Sequence, residues 1–251
     1  MTRKLFIVES PNDAGFVRLL LKYLSVKDSD TQTIDATEVE HLHNFTGSDG
    51  KEKRGKPALP EKLEMIKRDL GKKYPHIEHI GIILDVDAPN PTTYSGKERS
   101  LELINGAVKS AFGYDPAFTE IGQNRDATVV VENQNVALRF SCYLILEGTG
   151  LFNLDEVLKA IAKKACPTAE CLTDMNICVE VKTGQPMGEF DKQWVNYYIR
   201  CFASKKQLKN AEKRLHEIIF EQGAEIFDLE SPLLGDLKNY LAETTQGEAA
   251  E

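Results

Sequence analysis

Gly81-Ile82-Ile83-Leu84-Asp85-Val86-Asp87 constrains this chain more than any other stretch. A short continuous apolar run is the pattern of a strand buried on both faces. Residues two apart on a strand point the same way, so Asp85 and Asp87 leave the strand end on one side. Like charges that close raise each other's pKa, which is costly unless a cation sits between them. Leu5-Phe6-Ile7-Val8-Glu9 repeats the pattern near the start of the chain. Two buried strands ending in carboxylates predict neighbouring parallel strands, with Glu9, Asp85 and Asp87 converging at their carboxyl ends, where open α/β sheets gather ligands.

With 251 residues the chain can bury a sizeable core. A content of 41% hydrophobic and 28% charged residues is that of a folded protein rather than a disordered one. No apolar run approaches the ~20 residues of a membrane span, and Met1-Thr2-Arg3-Lys4 leads into a strand rather than a signal peptide. A cytoplasmic protein is the expectation. The net charge of −8 excludes nucleic-acid binding through the overall field, so any such contact must be local, through a basic patch or a bound cation. Five cysteines do not form a disulfide framework. Cys166, Cys171 and Cys178 are spaced like one helix face and lack the close pairs of a zinc site, so they are read as buried free thiols.

Strand and helix patterns alternate. Ser10-Pro11-Asn12-Asp13 fits an N-cap serine, a proline at the first helical position and an acid at the third, opening a helix to Leu24. Short strands are expected over Thr33–Ala36 and Val39–Phe45, a helix over Pro60–Lys73, and a helix to Phe112 capped by Ser95-Gly96-Lys97-Glu98. Thr128–Val131 and Ala137–Leu146 read as strands, and Asn153 caps a helix from Leu154 to Lys164. Glu170–Lys182 suits a helix by apolar spacing, although Ile177–Val181 also suits a strand. Further helices are expected over 190–203 and 205–221, and a last one from Ser231-Pro232 to Leu241. The pattern implies an α/β fold with a mainly parallel central sheet: residues 1–165 as the core, 166–242 as a helical C-terminal elaboration packed on it, and 243–251 as an acidic disordered tail.

Between Thr46 and Pro57 lies a polar, basic, glycine-bearing loop. Gly50 to Lys56 matches the first seven positions of a phosphate-binding P-loop, but Pro57 replaces the magnesium-binding Ser/Thr and no strand runs into Gly50. The P-loop reading is rejected. Lys51, Lys53, Arg54 and Lys56 belong either to a solvated loop or to a nucleic-acid backbone contact. His41, His43, His76, His79 and His216 show no ligand spacing, and none is assigned a role.

Phe6-Ile7-Val8-Glu9-Ser10-Pro11 and Leu84-Asp85-Val86-Asp87 resemble the two signature motifs of the Toprim domain. The resemblance covers residues 4–165 at motif level. It extends more faintly, through Leu154-Asp155-Glu156-Val157-Leu158, Asp191-Lys192 and Phe227-Asp228-Leu229-Glu230-Ser231-Pro232, to stand-alone Toprim-like proteins of unknown function. It implies a Rossmann-like fold and a site in which Glu9, Asp85 and Asp87 hold Mg²⁺ or Mn²⁺. The sequence departs from the pattern after Asp87, where Pro89-Asn90-Pro91 replaces a frequent glycine. Asp13 stands where OLD-family nucleases of this superfamily often carry a further acid, and it fits equally well as the capping partner of Ser10. Asp155 and Glu156 either add carboxylates to the site or complement a helix dipole. Lys192 is a candidate for stabilising charge on a transferring phosphate.

The function expected from the resemblance is a metal-dependent phosphodiesterase, a nuclease acting on DNA or RNA. Its alternative is a non-catalytic metal- or nucleotide-binding regulatory protein that works with a partner ATPase. A topoisomerase is excluded by size, a primase is disfavoured by the lack of a zinc module, and a phospho-receiver domain ranks last because such domains are about half this length.

Overall fold

The computed structural model describes residues 3–27, 37–43, 45–47, 49–74, 76–87, 95–145, 151–204, 207 and 211–245. Strands β1 (Arg3–Val8) and β2 (Thr37–His41) precede two short paired strands, β3 (Phe45–Thr46) and β4 (Glu52–Lys53). β5 (Ile77–Asp85), β6 (Asn124–Val131) and β7 (Gln134–Ile145) complete the set. Five of them form one sheet in the order β2-β1-β5-β7-β6. The first three pairings are parallel, and the hairpin partner β6 adds an antiparallel edge. The parallel core follows from the apolar runs of β1 and β5, which are buried nearly end to end.

The register fixes the site. Val8 pairs with Ile83, so Glu9 emerges beside Leu84 and Asp85 of the neighbouring strand. Gly81 admits the close packing of those two strands. A Cβ there would stand 2.5 Å from a ring carbon of Phe6 and 2.9 Å from the Tyr240 hydroxyl.

Eight helices cover the described sheet: α1 (Pro11–Lys27), α2 (Leu59–Asp69), α3 (Lys97–Phe112), α4 (Leu154–Ala160), α5 (Pro167–Thr183), α6 (Phe190–Phe202), α7 (Ala211–Ile226) and α8 (Gly235–Thr245). Strand alternation sorts the core into two. Leu5, Ile7, Ile82 and Leu84 face α2 and α3, while Phe6, Val8, Ile83 and Tyr143 face a layer built from α1, α4 and the C-terminal helices. The elaboration after residue 165 therefore shares a core with the sheet. Tyr198 is wholly buried there, donating to the Ile226 carbonyl at 2.7 Å and accepting from the Lys164 N–H at 3.0 Å. On α8, the Tyr240 hydroxyl meets Ser141 Oγ at 2.7 Å, and Ser141 meets His79 Nε2 at 2.7 Å.

Several expectations are revised. The ambiguous stretch 170–182 is helical, bracketed by Pro167 at the start of α5 and by left-handed Gly184 (φ 73°) after its end. Of that helix only Ala169 and Leu172 are buried. Cys171 and Cys178 are consequently exposed, and Cys166 forms a disulfide with Cys201 at the last turn of α6, so the reading of three buried free thiols is wrong. Ser204 and Gln207 form the expected reciprocal cap, at 2.8 and 3.3 Å. Residues 33–36, expected as a strand, lie outside the described residues. α8 runs to Thr245, so 243–245 are helical rather than part of a tail, and 246–251 are not described. Among the described residues no helix is long and apolar enough to cross a membrane.

Candidate carboxylate site

Four segments meet where the parallel strands end. β1 delivers Glu9, and the turn into α1 delivers Asp13 through the capping box. Ser10 N–H donates to Asp13 Oδ2 at 2.7 Å, and Asp13 N–H donates to Ser10 Oγ at 3.3 Å. The box occupies one oxygen of a carboxyl that is itself buried at the strand ends. Burial, then the charges of Glu9 and Asp155, push Asp13 up to about 7 against the opposing Ser10 bonds. Asp13 is thus both a cap and a member of the cluster.

Glu9 is the least satisfied of the acids. Its Oε2 is buried without a hydrogen-bond partner. Burial raises its pKa to about 7, with the charge of Asp87 adding to the rise and that of Lys56 opposing it. Asp85 accepts from Leu154 N–H at 3.1 Å. Burial holds its pKa well above the carboxylate range, reinforced by the charges of Asp13, Glu9 and Asp87 and opposed by Lys56. Glu9, Asp13 and Asp85 share one electrostatic problem, each raised by its own burial and by the charges of acidic neighbours.

Asp87 sits apart in character. Its backbone is left-handed, with φ 55°, and is held there by its N–H to the Phe152 carbonyl at 2.7 Å. Its carboxylate is ion-paired with Lys56, whose ammonium also lies 3.5 Å from the Val86 carbonyl. Lys56 is only 5% exposed. It does not belong with the solvated basic loop; its side chain points inward to Asp87 because Gly55 turns the chain with φ 69°. Lys51 and Arg54 are exposed, and Lys53 pairs with Asp49 at 3.0 Å and Glu61 at 3.4 Å.

α4 separates the two acids of its first turn. Asn153 caps the helix, accepting from Glu156 N–H at 3.0 Å. Glu156 returns both oxygens to the cap, accepting from Phe152 N–H at 2.6 Å and from the Asn153 amide at 3.2 Å. It therefore serves the helix terminus. Asp155 instead lines the cleft, with its pKa raised to about 6 by burial, opposed by Lys192 and raised further by Asp191, Glu189 and Glu156. Lys192, in the first turn of α6, lies at the mouth of the cleft with its side chain 56% exposed and 3.5 Å from Glu189.

The cleft has two lobes, about 770 and 480 Å³, which share Asp85, Asp155 and Lys192 as lining. Glu9 and Asp13 open onto the larger lobe and Asp87 onto the smaller. The larger lobe also carries residues that sequence spacing does not single out: His41, His43, Asn196 and His216. His41 ends β2 and His43 follows it, so a firm reading of that strand would have placed both at the same sheet edge as Glu9. The positions of Asn196 and His216 depend on how the C-terminal helices pack, for which the sequence holds no local signal. His43 N–H donates to His41 Nδ1 at 3.3 Å. Both imidazoles are shifted down, chiefly by burial, with the charge of Lys62 adding at His41 and that of Lys192 at His43. Asn196 Oδ1 is buried and unpartnered.

Among the described residues, no three His, Cys, Asp or Glu side chains are drawn together closely enough to enclose an ion. An all-carboxylate donor set nevertheless suits a hard divalent cation. The unpartnered oxygen of Glu9, whose charge raises Asp13 and Asp85 in the same lobe that Asp155 lines, is the place where a positive charge would relieve most. Comparison of the chain with protein-family models, curated proteins and solved structures finds no match in any of the three.

Proposed function

We propose that this chain is a metal-dependent phosphodiesterase acting on nucleic acid through a Toprim-type carboxylate site. The observation that carries the reading is the convergence of Glu9, Asp13, Asp85 and Asp155 on one cleft, all with carboxyl pKa values raised and one buried oxygen left without a partner. Carboxylates crowded in this way disfavour their own ionisation, and Mg²⁺ or Mn²⁺ is the group whose arrival reverses that preference. When bound, such an ion polarises phosphoryl oxygens and lowers the pKa of water. The chain's own residues do the rest. Glu9, Asp85, Asp13 and Asp155 are the residues that would hold the ion, by drawing their carboxylates closer than they stand in the metal-free chain, and Lys192 places a positive charge at the cleft mouth, where a phosphodiester would lie. Lys51, Lys53 and Arg54, on the loop preceding α2, are the candidates for backbone phosphates farther along the strand. The parallel sheet with acids at its switch region supports the Rossmann-like Toprim assignment.

A second reading, a regulatory protein that keeps the fold and works with a partner ATPase, is favoured by one observation: Asp87, an expected metal ligand, is engaged by Lys56. A panel of single- and double-stranded DNA and RNA substrates with Mg²⁺ or Mn²⁺ separates the two. Wild-type protein is expected to cleave at least one substrate, and Lys192→Ala to lower turnover by tenfold or more while changing substrate affinity little, because a charge aimed at the transition state acts on kcat. No cleavage of any substrate, with and without a neighbouring ATPase, would leave the regulatory reading standing.

A further inference from the structure

We infer that Lys56 is the site's built-in second cation: its ammonium holds the place on Asp87 that a second divalent ion would take, so the cleft accepts one divalent ion rather than two. The inference rests on the carboxylate site binding a metal, as proposed above.

Lys56 is positioned rather than merely nearby. Leu42 N–H donates to the Val8 carbonyl at 3.0 Å, tying the chain that leaves β2 to the end of β1. Gly55 N–H donates to the Leu42 carbonyl at 3.0 Å, and Ala58 N–H returns to the Gly55 carbonyl at 2.9 Å. Pro57 follows as the first residues turn into a short 3-10 helix. This relay fixes the Lys56 backbone against the end of β1, with Gly55 close enough that a Cβ on it would lie 3.8 Å from Glu9 Oε1. From there the side chain runs inward to Asp87 and the Val86 carbonyl. On the receiving side, Asp87 is held in its left-handed turn by Phe152, and Val86 accepts from Gly96 N–H at 2.7 Å. Both partners are clamped by backbone bonds that do not depend on the ion pair.

Burying an ammonium is costly unless it is paired and hydrogen-bonded, and here it has both a carboxylate and a carbonyl. A divalent ion placed on the Asp87 oxygen that Lys56 holds would lie against this fixed positive charge, and the two would repel. Among the described residues no ion pair ties an ammonium to Glu9, Asp13 or Asp85 in the larger lobe, and there one Glu9 oxygen is unpartnered. The demand for positive charge is therefore met by the protein at Asp87 and left to a solute beside Glu9.

Titration of metal-free protein with Mn²⁺, followed through the paramagnetic resonance signal of free Mn²⁺, counts bound ions without reference to activity. One ion per chain is expected for the wild type and for Lys56→Arg, and two for Lys56→Gln. Two ions in the wild type, or one in a folded Lys56→Gln variant, would overturn the inference while leaving the metal reading intact. Should Lys56→Gln fail to fold, the wild-type stoichiometry alone decides. No binding to the wild type would overturn both the inference and the metal reading beneath it.

Discussion

Replacement of Asp85 by Asn is expected to raise the melting temperature of the metal-free protein at pH 8 by about 4 °C, corresponding to roughly 1–2 kcal/mol in a chain of this size. Functional acids are often destabilising, and Asp85 has the environment that makes them so. It is half-buried among the charges of Asp13, Glu9 and Asp87, while the opposing charge of Lys56 is committed to Asp87. Asn is nearly isosteric and keeps an oxygen for the Leu154 N–H that Asp85 now accepts at 3.1 Å. Its amide can donate to the neighbouring carboxylates instead of repelling them. The same substitution is expected to abolish the stabilisation that millimolar Mn²⁺ gives the wild type, which at 100 times the dissociation constant amounts to about 2.7 kcal/mol. Thermal melts of both proteins with and without Mn²⁺ test this. A variant less stable than the wild type without metal, or one that responds equally to Mn²⁺, would show that Asp85 is a structural acid.

The pH dependence of the metal-free fold is the second large effect. The folded pKa values of Glu9 and Asp13 are raised to about 7, and that of Asp155 to about 6. A carboxyl whose folded pKa exceeds its unfolded value keeps its full contribution below the unfolded pKa and loses it as pH rises through the folded one. Glu9 alone is worth about 3 kcal/mol on that basis, and the neighbours are coupled to it, so the contributions do not simply add. His41 and His43 act in the opposite sense, because a lowered imidazole pKa costs stability as pH falls below the unfolded value. Glu40, held down to about 2 by Lys73, Lys62 and Tyr74 against its burial, also loses its contribution in acid. Maximum stability is therefore expected near pH 5–6, with a fall of roughly 5–10 °C in melting temperature by pH 8. Saturating Mn²⁺ should remove most of that fall, since ions bind the deprotonated carboxylates. Stability that instead rises steadily from pH 5 to 8 without metal would contradict the electrostatics of the site.

The parts of the fold carried by local pattern were legible in the sequence. β1 and β5 are short apolar runs that end in acids, and both are buried, adjacent and parallel. The capping boxes at Ser10–Asp13 and Ser204–Gln207 are formed as their spacing predicts. Residues whose environment depends on distant packing were not legible. Lys56 reads as one of four basic loop residues, and only the relay from Val8 through Leu42 to Gly55 turns it into the cleft. Asp155 and Glu156 are equivalent in sequence, yet the capping geometry of Asn153 sends one to the cleft and commits the other to the helix end. Cys166 and Cys201 are 35 residues apart, on helices whose packing no local pattern encodes.

The most direct measurement of the central claim is the position of Mn²⁺ in a crystal of the protein, located by its anomalous scattering. The expected result is a peak bounded by Glu9 and Asp85, within reach of Asp13 or Asp155, and lost in crystals of Asp85→Asn. A peak elsewhere on the surface, or none at the strand ends at millimolar Mn²⁺ and pH 8, would contradict a metal site at these carboxylates and the phosphodiesterase chemistry built on it.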